Sequence, residues 1–184
     1  LRRCHDAVGR HLTGPAPFFW VFHVIRDYAA TLRAGGSRMA GELPRFLDIA
    51  GRLEAAQVAM PVVFGHHDLL PANLMDDGGR LWLVDWEYGG FGTPLFDLAN
   101  LAGNAGLPPD DERAMLQAYF GQAPGPALWR AYGAMKVASL LRETLWSLVS
   151  ELHMNAPGVD YAAYTVENLD RFRAALSEFE ESEG

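Results

Sequence analysis

The chain has 184 residues, 49% of them hydrophobic, enough to enclose the core of one domain. Its formal charge of −8 argues against nucleic acid or an anionic membrane surface as a partner. The single cysteine, Cys4, excludes an internal disulfide framework and suits a reducing cytoplasm, and no apolar run approaches the ~20 residues of a membrane span.

In chain order, Leu1 to Leu12 is a short helix candidate that stops before Gly14-Pro15. Phe18 to Leu32 carries Phe22, Ile25, Ala29 and Leu32 at helical spacing, and Gly35-Gly36 ends that run. Pro44 to Met60 predicts a second amphipathic helix, with Phe46, Leu47, Ile49, Ala50, Leu53 and Ala56 on its buried side. Val62-Val63-Phe64 is a short apolar run entering the core. His66 to Pro71 reads as a loop, because Pro71 cannot serve a central ladder. Asn73-Leu74-Met75 and Leu81 to Val84 are strand-like and flank Asp76-Asp77-Gly78-Gly79, so a hairpin is predicted there. Helices are predicted over Pro94–Leu101, Asp110–Phe120, Ala127–Leu152 and Tyr161–Phe179. Glu178, Glu180, Glu181 and Glu183 form an acidic, solvated tail.

The chemistry is concentrated in residues 64–100, FGHHDLLPANLMDDGGRLWLVDWEYGGFGTPLFDLAN. His66, Asp68, Asn73 and Asp85 stand at the spacing used by enzymes that move a phosphoryl group from a nucleotide to a hydroxyl. An Asp closing a short loop can accept the hydroxyl proton. The hairpin brings Asn73 near Asp85, and two oxygen donors on neighbouring strands suit Mg²⁺, which keeps waters and phosphate oxygens as its other ligands. A zinc-hydrolase reading of His66-His67-Asp68 fails on its donors: adjacent histidines point different ways, and no further His or Cys nearby completes a tetrahedral set.

These residues resemble the choline/ethanolamine kinase family, within the aminoglycoside-phosphotransferase-like group of protein-kinase-like folds. The resemblance implies a mainly α fold with a small β-hairpin (α+β), the C-terminal lobe of a protein-kinase-like enzyme. It implies Asp68 as catalytic base, His66 as a residue that shapes its loop, and Asn73 and Asp85 as Mg²⁺ ligands, with ATP as co-substrate. Glu87 would border the metal and acceptor site, and Asp97 would brace the catalytic loop as a buried carboxylate. Position 67 is His where the family more often has Asn or Gly, and Asn104 stands where related choline kinases tend to carry a carboxylate.

A second stretch within 139–172, LLRETLWSLVSELHMNAPGVDYAAYTVENLDRF, is similar to the C-terminal helices of choline kinases, which enclose a quaternary ammonium in aromatic side chains. The resemblance places Trp146 and Tyr164 on that aromatic box and puts Glu143 where a second tryptophan is expected. A carboxylate there suits a cationic acceptor by direct charge attraction, and it suits an amine other than choline equally well. Read from the residues alone, Trp146 and Tyr164 are equally ordinary core positions of two helices. Phe18, Phe19 and Trp20 read as core packing. His5, His11, His23 and His153 read as surface or packing residues, and Arg142 as the partner of a neighbouring carboxylate.

The chain has one lysine, Lys136, against fourteen arginines. Kinases of the resembled fold hold nucleotide phosphates with a strand lysine beneath a glycine-rich loop. Lys136 instead follows the catalytic motif in a helical context, and Gly35-Gly36 precedes no strand–turn–strand pattern. The resemblance therefore implies that residues 1–184 are the catalytic and acceptor-binding lobe, inactive alone, with a nucleotide-clamping N-terminal lobe as its partner. The acceptor stays open among choline, ethanolamine, an aminoglycoside, thiamine and a sugar. A non-catalytic binding relative and a hydrolase using the same metal are the alternatives from other classes.

Overall fold

The computed structural model describes residues 1–154 and 157–181; Glu183 of the acidic tail lies outside them. Among the described residues, seven α-helices and four short strands occur in the order α1 (Arg2–Ala7), α2 (Val21–Ala34), α3 (Leu43–Ala55), β1 (Val63–Gly65), β2 (Leu74–Asp76), β3 (Leu81–Leu83), β4 (Gly90–Gly92), α4 (Pro94–Ala105), α5 (Pro109–Phe120), α6 (Pro126–His153) and α7 (Tyr161–Glu181). The fold is mainly α with a small antiparallel β part. No described helix is long and apolar enough to cross a membrane.

The chain forms two compact units. The first comprises Leu1–Trp20 and Val58–Tyr132, the second Val21–Gln57 and Gly133–Gly184. In the first unit β1 pairs antiparallel with β4, Phe64 opposite Phe91, and β2 with β3, Met75 opposite Trp82. Its core is built from Phe64, Leu69, Leu95, Phe96, Leu98, Ala99 and Leu116. In the second unit the buried faces are Phe22, Ile25, Ala29 and Leu32 of α2, Phe46, Ile49 and Leu53 of α3, and Phe172, Leu176 and Phe179 of α7.

Most element boundaries follow their sequence signals. Thr93 caps α4, its hydroxyl accepting from the Leu95 N–H at 3.4 Å, with Pro94 in the first turn. Three expectations need correction. The helix predicted from Phe18 begins only at Val21, because the backbone before it pairs with β4: Phe19 N–H donates to Phe91 O at 2.7 Å and Phe91 N–H to Pro17 O at 2.8 Å. Phe18 is consequently 64% exposed rather than in the core. The helix predicted to reach Met60 ends at Ala55, where the Gln57 side chain turns back to donate to Leu53 O. Conversely, α4 runs a turn past Leu101, to the left-handed Gly106 (φ 63°), whose N–H returns to Ala102 O.

Candidate active site

The loop between β1 and β2 carries Asp68, and its backbone is held from several directions. Asp97, fully buried in the first turn of α4, accepts from His66 N–H and from His67 N–H, each at 2.8 Å. Asn100, one turn on, accepts from Leu69 N–H at 2.6 Å, and Asn104 donates Nδ2–H to Leu69 O at 3.1 Å. Residues 97, 100 and 104 lie on one stripe of a helix, so a single face of α4 satisfies backbone groups on both sides of Asp68. The Asp68 peptide is also used: its N–H donates to His66 Nδ1 at 3.2 Å, and its carbonyl accepts from Leu70 N–H and from Asn73 Nδ2–H. The half-buried carboxylate is therefore mounted on a backbone with little freedom.

His66 ties this loop to the next one. Its Nε2 lies 2.8 Å from Val84 O, and a carbonyl only accepts, so Nε2 carries the proton and Nδ1 is the acceptor for Asp68 N–H. Val84 N–H in turn donates to Asn73 O at 3.1 Å, extending the hairpin register so that Asn73 lies beside Val84, one residue before Asp85.

The donor set fits Mg²⁺. Asn73 is buried and commits its NH₂ group to Asp68 O, which leaves Oδ1 as the atom that could coordinate a cation. Asp85 is exposed, and among the described residues nothing donates to its carboxylate. Its backbone is left-handed (φ 64°), a conformation that costs a non-glycine residue about 1–3 kcal/mol and concentrates at functional sites. One anionic and one neutral hard oxygen are what Mg²⁺ takes from a protein when phosphates supply the rest. Glu87 follows two residues later, exposed.

Asp97 shows how the buried charge is tolerated. Burial alone would raise its carboxyl pKa, but the His5 hydrogen bond, the charge of His67 and the His66 N–H outweigh burial and hold it below the ordinary carboxylate value. The sequence reading missed His5. It is 5% exposed, donates Nε2–H to Asp97 Oδ2 at 2.9 Å, and sits 2.7 Å from the Tyr119 hydroxyl through Nδ1. Its spacing to Tyr119 and Asp97, some ninety residues or more away, carries no local signal. Burial pushes the Tyr119 phenol up to about 12, with the charges of Asp6 and Asp97 adding to it.

In the second unit, Trp146, Tyr164 and Glu143 come together. The Trp146 and Tyr164 rings meet edge to face at 6.2 Å, and Tyr164 donates its hydroxyl to Glu143 Oε1 at 2.8 Å. Glu143 Oε2 accepts from Arg142 at 3.2 Å, the carboxylate partner expected for that arginine. Burial, then the charge of Glu143, raises the Tyr164 phenol to about 12.

Comparison with known proteins places this geometry. Residues 5–136 match the phosphotransferase enzyme family. The chain belongs to that family. Within it the similarity runs to choline/ethanolamine kinases and their relatives. Protein LicA of Haemophilus influenzae is 31% identical over 119 residues, 61% of this chain and 43% of LicA. Ethanolamine kinase 2 of Mus musculus is 29% identical over 98 residues, 49% of this chain and 26% of that protein. The crystal structure of a choline/ethanolamine kinase family protein from Mesorhizobium loti superposes with a TM-score of 0.82 at 29% identity, covering 98% of this chain and 62% of the other. The chain thus spans less than half the length of the curated relatives it matches.

Proposed function

We propose that this phosphotransferase family member transfers the γ-phosphoryl group of ATP to the hydroxyl of a small amino alcohol, choline or ethanolamine. The observation that carries the reading is the pinned Asp68 loop, joined through His66 to Val84, which lies beside Asn73 and directly precedes Asp85. Asp68 orients the acceptor hydroxyl and takes its proton. Asn73 Oδ1 and the Asp85 carboxylate would hold Mg²⁺, which would supply charge neutralisation at the nucleotide phosphates. Acceleration then comes from alignment and fixed charge, since phosphoryl transfer asks little covalent chemistry of the protein.

The amino-alcohol assignment rests on similarity to the named kinases and on the Trp146–Tyr164–Glu143 cluster. The phosphate clamp is assigned to a further, N-terminal lobe. Lys136, the chain's one lysine, lies on α6 and pairs with Glu178 at 3.6 Å.

The test is ADP release from Mg-ATP by the intact protein, with choline, ethanolamine, thiamine and an aminoglycoside offered in parallel. Turnover that depends on an amino alcohol and falls roughly 10²–10⁴-fold in Asp68→Asn, with Mg-ATP affinity retained, is the expected result. Turnover with thiamine or the aminoglycoside alone moves the acceptor while keeping the base. Undiminished turnover in Asp68→Asn would falsify the assignment of the base.

A further inference from the structure

His67 is the residue of this loop that the mechanism above does not use, and it is held in the least comfortable conformation. It is fully buried and left-handed (φ 64°), where glycine and asparagine are the residues at ease. Such strain persists only where the surroundings over-determine it. They do so here. The imidazole stacks on Phe19, centroids 4.3 Å apart and planes 13° from parallel, with Phe96 tilted against it at 5.8 Å. Two glycines make room for it: a Cβ at Gly65 would lie 2.6 Å from His67 Nε2, and one at Gly92 2.9 Å from the same atom. Both distances are shorter than real contacts allow, so the slot is shaped around this ring.

The ring reaches across to the segment that carries Asp85. His67 Nδ1 lies 3.1 Å from Tyr88 O, and because a carbonyl only accepts, Nδ1 carries the proton. His66 makes the matching bond to Val84 O at 2.8 Å. The two adjacent histidines, pointing different ways, therefore grip positions 84 and 88 and bracket Asp85, Trp86 and Glu87. At the other end both their N–H groups rest on Asp97.

We propose that His67 is a positioning residue which, paired with His66, sets the distance between the base Asp68 and the metal-holding Asp85. The proposal rests on the phosphotransferase reading for its effect on turnover, and on geometry alone for its effect on the 84–88 segment. Asparagine and glycine at position 67 keep the left-handed backbone without strain but lose the stack and the reach to Tyr88.

The experiment is made on the intact protein with His67→Asn and His67→Gly, using Mn²⁺–ATP as the binding probe and ADP release as the kinetic one. Both variants are expected to lose roughly ten- to a hundredfold in kcat, the scale of a small misplacement of reacting groups. Mn²⁺–ATP affinity is expected to weaken several-fold while the acceptor KM stays within about twofold, a split that simple loss of packing would not produce. Retention of kcat and Mn²⁺–ATP affinity in either folded variant overturns the proposal. An independent reading comes from the unsubstituted protein: a slowly exchanging imidazole Nδ1–H proton assigned to His67 by NMR is expected, and its absence also overturns the proposal. If the parent turns over no acceptor, the phosphotransferase reading falls, and Mn²⁺–ATP affinity with the NMR signal still decides His67.

Discussion

The Asp68 loop and the Trp146–Tyr164 cluster both rely on buried polar groups, and they are held in opposite ways. Around Asp68 the side chains of Asp97, Asn100, Asn104 and His66 bind backbone, so the loop's path is fixed by groups other than the Asp68 carboxylate. Around Tyr164 the side chains bind one another: Tyr164 to Glu143, Glu143 to Arg142, Trp146 against Tyr164. A backbone clamp tolerates no change in length or donor sense. A side-chain cluster on two helices re-forms around substitutions by rotamer changes. On the proposed function, phosphoryl transfer would need the first kind of precision, whereas acceptor recognition would be free to vary on the second.

The largest effect that would break this contrast is at Asp97. Asp97→Ala strands two buried N–H groups and His5, and denaturant melts should show a loss of about 3–5 kcal/mol. Its pH dependence has a definite sign. The folded-state carboxyl pKa is lowered, so its stabilisation is fully present above the ordinary value of about 3.9 and is lost as pH falls through the lower folded value. The stability gap between the parent and Asp97→Asn should therefore narrow only below about pH 4. A gap that stayed constant down to acid unfolding would detach Asp97 from the clamp.

A smaller effect sharpens the comparison at Asn104. Asn104→Asp keeps the shape but replaces a donor facing Leu69 O with an acceptor, costing about 1–3 kcal/mol. It should lower kcat more than it changes the acceptor KM, as befits a group that acts on the Asp68 loop. An unchanged melting temperature and kcat would show that the α4 stripe ends at Asn100.

The smallest effect belongs to the second unit. Tyr164→Phe removes one hydrogen bond to Glu143 and should cost about 1 kcal/mol. With the folded phenol at about 12, its stabilisation is intact below the ordinary value of about 10 and disappears as pH rises through 12. Ultraviolet titration should show a late tyrosinate step, to which Tyr119 also contributes, smaller by one tyrosine in Tyr164→Phe than in the parent. If acceptor KM rises tenfold with stability unmoved, the cluster is a binding surface rather than packing.

Sequence alone was enough to single out His66, Asp68, Asn73, Asp85 and Asp97 as a candidate set, because their spacing is local: a loop, a hairpin and a helix start follow one another within 64–100. The same locality made the Asp76–Gly79 turn and the Pro94 helix start readable. Phe18 misled, since helical periodicity does not show that Phe91 competes for the backbone beside it. His5 and His67 were passed over for a related reason. Each acts through a partner that no periodicity connects to it, Asp97 for one and Tyr88 O for the other. Local spacing determines which groups are available and in what order, as hydrogen-bonded turns and amphipathic faces are properties of neighbouring residues. Only tertiary packing decided which backbone atoms the histidines reach and which bonds they make there, because a hydrogen bond's donor sense and distance exist only once distant segments are brought to contact.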